Sequence, residues 1–337
     1  MKIAVLSPVA WRTPPRHYGP WEQIASSLTE GLAAAGLDVT LFATADSLTR
    51  AKLDAVVRTG YEEDRSQDAK VLECLHISNL MEKAEDFDII HNHFDFLPLT
   101  WSRLIKTPVV TTIHGFSSSR IIPVYKKYND TSHYVSISNS DRSPDLNYLA
   151  TVYNGINVED FDFSDTHENY LLYFGRIHHD KGTAEAIEIA VRSGKRLIIA
   201  GIIQDQDYFN TKIKPRLNDQ ISFIGPAGPE KRNLLMGKAE ALLHPINFEE
   251  PFGMSVAEAL LCGTPVIAFK KGSMPELIRH GETGFLVNSI DDAIAAIGDL
   301  NTIVRAECRQ WAATNFSKEK MVKDYIEVYK KILNLQH

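Results

Sequence analysis

Short, almost wholly apolar runs separated by amphipathic stretches recur along the entire chain, and this alternation restricts the fold more than any other feature. Residues 3–6, 39–43, 89–91, 109–113 and 134–137 read as strands, and 171–174, 197–200, 222–224, 241–244 and 266–269 repeat the pattern. Residues 21–35, 184–193 and 255–261 carry helical spacing between them. A strand must be apolar at nearly every position when helices cover both faces of its sheet, so the chain reads as α/β with parallel sheets. Its 337 residues suit two domains at roughly 100–200 residues each. The rhythm breaks once, at 159–169, where Glu159, Asp160, Asp162, Asp165 and Glu168 interrupt any periodicity. An interdomain linker is expected there.

Charge and cysteine content remove several function classes. Lys and Arg total 36 against 43 Asp and Glu, a net charge of −7, so no global basic field draws the chain to nucleic acid. Cys74, Cys262 and Cys308 lie far apart without a CxxC pair, which argues against a disulfide framework or zinc knuckle and for a reducing compartment. The apolar run at 3–6 is too short for a signal peptide, and stretches such as 197–203 fall short of the roughly 20 residues that span a bilayer. A soluble, cytoplasmic protein without a transmembrane segment is expected, with peripheral membrane contact left open.

Open parallel sheets bind ligands beyond the carboxyl ends of their strands, so chemistry is sought in the loops that follow each strand. After the first strand, Gly19 precedes a helix whose N-terminal N–H groups suit an anion. An ordinary proline-rich connection fits that pattern equally well. The absence of GxGxxG weighs against a nicotinamide dehydrogenase. His114, followed by Gly115, ends the 109–113 strand facing the expected cleft. His91 and His93 share a strand face, which would suit a metal, but no third ligand is evident and packing is the preferred reading.

The second half offers more. Gly175-Arg176 and Lys181-Gly182 bracket a strand-to-helix loop whose two cations and helix N-terminus suit a diphosphate. A solvated loop carrying common charges is the plainer alternative. Glu250-Pro251-Phe252-Gly253-Met254-Ser255 leads into a helix that carries Glu258, with seven residues between the glutamates. Eight residues of helix rise about 12 Å, whereas the paired carboxylates of a glycoside hydrolase stand about 5–9.5 Å apart. The two glutamates are therefore expected to address different parts of one long ligand. Helix capping by Glu250 and packing by Glu258 are the plainer alternatives.

Glu250 through Glu258 is similar to the E-x7-E signature of retaining glycosyltransferases of family 4. Gly175-Arg176 with Lys181-Gly182 resembles that family's diphosphate loop, and Thr112-Ile113-His114-Gly115 its active-site histidine segment. Val152 to Asn157, Gly263-Thr264-Pro265 and Gly281 to Val287 follow in matching order, so the resemblance spans nearly the whole chain. It implies the GT-B fold, two facing Rossmann-like doubly wound domains with a cleft between them. The acceptor-side domain would comprise 1–158 plus a returning helix in 318–337, and the nucleotide-sugar domain 159–317. Apolar Met321, Val322, Tyr325, Val328, Tyr329 and Ile332 form the stripe of that helix.

The implied activity is transfer of a hexosyl group from a UDP- or GDP-linked sugar to an acceptor hydroxyl, with retention. His114, Arg176, Lys181 and Glu250 would be catalytic. Gly19, Phe252, Gly253, Met254, Ser255 and Glu258 would bind the donor. No obligatory metal or other cofactor is inferred. The chain departs from the family at Gly19-Pro20, where a second glycine is usual and proline removes a backbone donor. A nucleotide-sugar epimerase and a catalytically silent nucleotide-sugar-binding protein are the alternatives weighed.

Overall fold

The computed structural model describes residues 1–116 and 118–334. The chain divides into two units, one built from Met1–Gly155 with the segment that starts at Lys318, the other from Ile156–Ser317. Residues 335–337, the end of the expected returning segment, lie outside the described residues.

The first unit holds seven parallel strands: β1 (Lys2–Leu6), β2 (Asp38–Thr44), β3 (Lys52–Val57), β4 (Ile89–Asn92), β5 (Val109–Ile113), β6 (Ser132–Ser136) and β7 (Tyr148–Thr151). Their order is β3-β2-β1-β4-β5-β6-β7. The strand order therefore reverses direction between β1 and β4. All of β4 and β5 is buried, including the polar His91, Asn92, Thr111 and Thr112, which are hydrogen-bonded within the unit. The helix Pro20–Ala34 covers one face, with Ile24, Ala25, Leu28 and Leu32 inward.

The helix Lys318–Asn334 belongs to this unit, and the six residues of its apolar stripe are the ones it buries. It packs along Pro20–Ala34, where Gly31 lets it approach: a Cβ there would lie 2.3 Å from Val322 Cγ2. Two tyrosines tie it to the sheet, Tyr325 through Thr112 Oγ1 at 2.6 Å and Tyr329 through His91 Nδ1 at 2.6 Å.

The second unit holds β8 (Leu171–Phe174), β9 (Leu197–Ala200), β10 (Ile221–Phe223), β11 (Ala241–His244), β12 (Val266–Phe269) and β13 (Gly284–Val287). The order β10-β9-β8-β11-β12-β13 is again parallel and reverses between β8 and β11. The polar 159–169 stretch is part of this unit. Its backbone is held there by Ser164 N–H to the Cys262 carbonyl at 3.1 Å and Glu168 N–H to the Lys238 carbonyl at 2.8 Å. Arg305 Nε also donates to the Ser164 carbonyl at 2.8 Å. The units divide just before this stretch, between Gly155 and Ile156. Among the described residues, no helix is long and apolar enough to cross a membrane.

Candidate active site

In the second unit the strand order reverses between β8 and β11, the place beyond whose strand ends sheets of this kind hold ligands. Gly182 lets the loops after these two strands touch: its φ of 72° is left-handed, and a Cβ would sit 1.8 Å from the Pro245 carbonyl oxygen. Asn247 N–H donates to the Asp180 carbonyl at 2.7 Å, joining the loops a second time. Lys181 and Glu250 are thereby brought together, Nζ to Oε2 at 2.5 Å, with only 13% of each side chain exposed. Lys181 Nζ also lies 4.5 Å from the centre of the Phe248 ring.

Burial by itself would raise the Glu250 carboxyl, but His244 and the Lys181 charge outweigh it and bring the group down to about 2. Glu250 is thus a carboxylate throughout the neutral range. His244 Nε2 stands 3.7 Å from Glu250 Oε2, beyond hydrogen-bond length, and is buried without a hydrogen-bond partner. From the side of β12, Ser273 N–H donates to the Glu250 carbonyl at 2.9 Å. Arg176 is engaged by Gln204 Oε1 and stays half-buried on the rim of the same loop.

Gly253 then starts the helix Met254–Leu261 from a left-handed φ of 91°, and no side chain caps its first turn. The uncapped N-terminus, with half-buried Met254 and Ser255, offers N–H groups and the positive end of the helix dipole. Phe252 lies in the core: its ring packs edge-to-face on Phe316 at 5.8 Å, and its carbonyl accepts from Ser273 Oγ at 2.6 Å. Its side chain anchors the loop from within rather than lining a ligand surface. Glu258 is buried, which raises its carboxyl against the opposing charge of Arg232 at 3.1 Å. Each glutamate therefore has its own cation.

In the first unit, Gly19 and His114 also sit beyond the carboxyl ends of strands. Gly19 precedes Pro20 at the helix start with a φ of 153°. A Cβ on Gly19 would approach Glu22 Oε2 to 2.9 Å. His114 follows β5, stacks on Trp21 at 5.5 Å, and shares a 2.9 Å hydrogen bond from its Nε2 to His93 Nδ1. His91 bonds Thr112 Oγ1 at 2.7 Å in addition to Tyr329. His91 and His93 are thus each hydrogen-bonded in the unit's interior. Burial holds His91 and His114 down to about 3 and His93 well below its ordinary value, so all three imidazoles are neutral.

Of the sequence-selected residues, His114 and Gly19 belong to the first unit. Arg176, Lys181, Glu250, Phe252, Gly253, Met254, Ser255 and Glu258 belong to the second. His244 and Arg232 escaped sequence reasoning. His244 could have been suspected from its place at a strand end, whereas Arg232 had no local signal. Among the described residues, one group brings metal-ligand atoms within 4.8 Å of one another: His178, His179 and Asp205. His178 Nδ1 in that group is already bonded to Asp180 Oδ1 at 2.5 Å.

Residues 22–160 match Glycosyltransferase Family 4, and residues 159–320 match Glycosyl transferases group 1. The chain belongs to the family 4 glycosyltransferases, and its two parallel-sheet α/β units are those of the GT-B fold. It is 23% identical to the uncharacterized glycosyltransferase MJ1607 of Methanocaldococcus jannaschii over 98% of each chain. It is 24% identical to N-acetyl-alpha-D-glucosaminyl L-malate synthase of Bacillus anthracis, over 74% of this chain and 76% of that one. Anabaena Alr3699/HepE, solved in complex with UDP and glucose, superposes with a TM-score of 0.76 at 18% identity. That superposition covers 98% of this chain and 100% of the other.

Proposed function

We propose that this glycosyltransferase moves a hexosyl group from a UDP- or GDP-linked sugar to an acceptor hydroxyl with retention of anomeric configuration. The observation that carries the reading is the largely enclosed Lys181–Glu250 pair beside the uncapped helix N-terminus at Gly253. A departing nucleoside diphosphate gains negative charge as the glycosidic bond breaks. Lys181, Arg176 and the first-turn N–H groups supply fixed positive potential for that charge. Glu250, ionised and held by Lys181, orients sugar hydroxyls. Glu258 takes the ribose, and Gly19, having no side chain, lets the donor pass close to the start of the Pro20–Ala34 helix. His114 is neutral and so is assigned a hydrogen bond to the transferred sugar, not proton donation as an imidazolium. The UDP and glucose named in the HepE complex support a uridine donor of this class. Three free cysteines fit a cytoplasmic setting.

Contacts that tighten as the sugar ring flattens act on kcat, whereas a grip on ribose is the same in ground and transition states. Glu250→Gln is therefore expected to lower kcat, and Glu258→Gln mainly to raise KM for the donor. The donor is first chosen from UDP-, GDP- and ADP-hexoses by thermal stabilisation, and steady-state kinetics of the folded variants follow. Loss of kcat in Glu258→Gln with only KM altered in Glu250→Gln would reverse the assignment. Loss of stability alone in Glu258→Gln would make that residue a packing partner of Arg232.

A further inference from the structure

The first unit carries its own crevice at its own reversal of strand order, between the loops after β1 and β4. A cavity of about 480 Å³ opens there, entirely within this unit. Its walls include the rings of Trp11, Tyr18, Trp21, Tyr61 and Phe96. Three carboxyl groups, Glu22, Glu73 and Asp95, share that lining, which contains no Lys, Arg or His. The cations of the β1 loop are engaged elsewhere: Arg12 Nε donates to the Pro14 carbonyl at 3.0 Å, and Arg16 pairs with Glu63 at 2.6 Å and Asp46 at 3.1 Å.

We propose that this cavity is the acceptor subsite and that it takes an uncharged carbohydrate ring, discriminating against acceptors that bear phosphate or carboxylate. Aromatic faces suit the C–H face of a sugar ring, and carboxylate oxygens accept from its hydroxyls. An anion would bring a further negative charge to three carboxyl groups with no cation among the lining residues to offset it. Burial already disfavours their charge, raising Glu73 and bringing Glu22 to about 7 and Asp95 to about 6. Trp21 connects the cavity to the proposed chemistry, because it also stacks on His114. Asp95 is held in the left-handed region at φ 81°, where Tyr125 donates to its carboxylate and Asn92 Nδ2 to its carbonyl at 2.8 Å. A non-glycine residue kept in that conformation by two side chains is the kind of local strain that concentrates at ligand sites.

The inference rests on the transferase reading for the word acceptor, and its test separates the two. Methyl hexosides are compared with the matching methyl hexuronosides and hexoside 6-phosphates, first for binding to the donor-free protein by calorimetry, then for turnover. Neutral rings are expected to bind at least ten-fold more tightly than their anionic counterparts. Tyr18→Ala, a change at a side chain 43% exposed, is expected to weaken that binding at least ten-fold without lowering the melting temperature. Equal or tighter binding of the anionic forms, or no neutral ring bound, overturns the proposal. Saccharide binding that Tyr18→Ala abolishes, without transfer from any donor, would sink the transferase reading and leave the subsite standing.

Discussion

Arg176→Ala and Lys181→Ala are each expected to lower turnover about 100-fold or more, equivalent to about 2.7 kcal/mol of lost transition-state stabilisation. The two variants should differ in stability. Arg176 is half-buried and engaged by Gln204, so its removal leaves no buried charge unmatched and the protein should melt as before. Lys181 is the ammonium partner of Glu250, and both side chains are largely enclosed. Removing one member of an enclosed pair strands the other charge, at a cost of about 3–5 kcal/mol. Lys181→Ala should therefore lose melting temperature as well as rate, and the Glu250 carboxyl should titrate higher. Rates are compared at a temperature where both variants are folded. Wild-type turnover in both would remove the diphosphate role from this loop.

Acidification from pH 7 to 5 is expected to destabilise the first unit by several kcal/mol. Burial holds His76 down to about 4 and His91 and His114 to about 3, with His93 also well below its ordinary value. The unfolded chain thus takes up these protons first as pH falls below about 6.5, so stability is full above that value and declines beneath it. Each imidazole contributes up to about 1.4 kcal/mol per pH unit over that range. Carboxyls in the same unit oppose the trend. Glu22 at about 7 and Asp95 at about 6, with Glu73 also raised, favour the folded chain on acidification. His133, also lowered by burial, adds to the loss, so the histidines outnumber the raised carboxyls and the net change over these two pH units is a loss of stability. Trp11, Trp21 and Trp101 lie in the first unit and only Trp311 in the second, so tryptophan fluorescence in urea titrations follows the relevant transition. A midpoint unchanged or raised at pH 5 would contradict the neutral-histidine interior.

The parts of the fold legible in the sequence are those with burial on both faces. Strands β1, β8 and β11 are almost continuously apolar because a helix layer lies on each side. The three strands that sequence reasoning did not find, β3, β7 and β13, are all sheet edges. β3 buries only Val57 and no residue of β7 is fully buried, so their apolar stretches stay short. The 159–169 stretch shows the converse. Its polar, aperiodic sequence resembles a linker, yet its backbone groups bond to the second unit, and side-chain polarity carries no information about such bonds.

The candidate site divides in the same way. Glycines at required left-handed positions, Gly182 and Gly253, and the charges beside them stand out along the chain. Partnerships made by topology do not. Lys181 meets Glu250 because β8 and β11 are neighbours across the strand-order reversal, and Arg232 meets Glu258 from another helix. The carboxyl-lined cavity of the first unit draws on segments as distant as Glu22, Glu73 and Asp95, whose common wall no spacing rule anticipates.

The stereochemistry of the transferred sugar offers the most direct measurement. The donor that stabilises the protein, an α-linked UDP- or GDP-hexose, is incubated with a neutral methyl hexoside, and the anomeric proton of the product is followed by NMR from the first turnovers. An α-linked disaccharide formed in step with release of the nucleoside diphosphate is the expected result. A β-linked product, or an epimerised donor without a new glycosidic bond, would contradict retaining transfer.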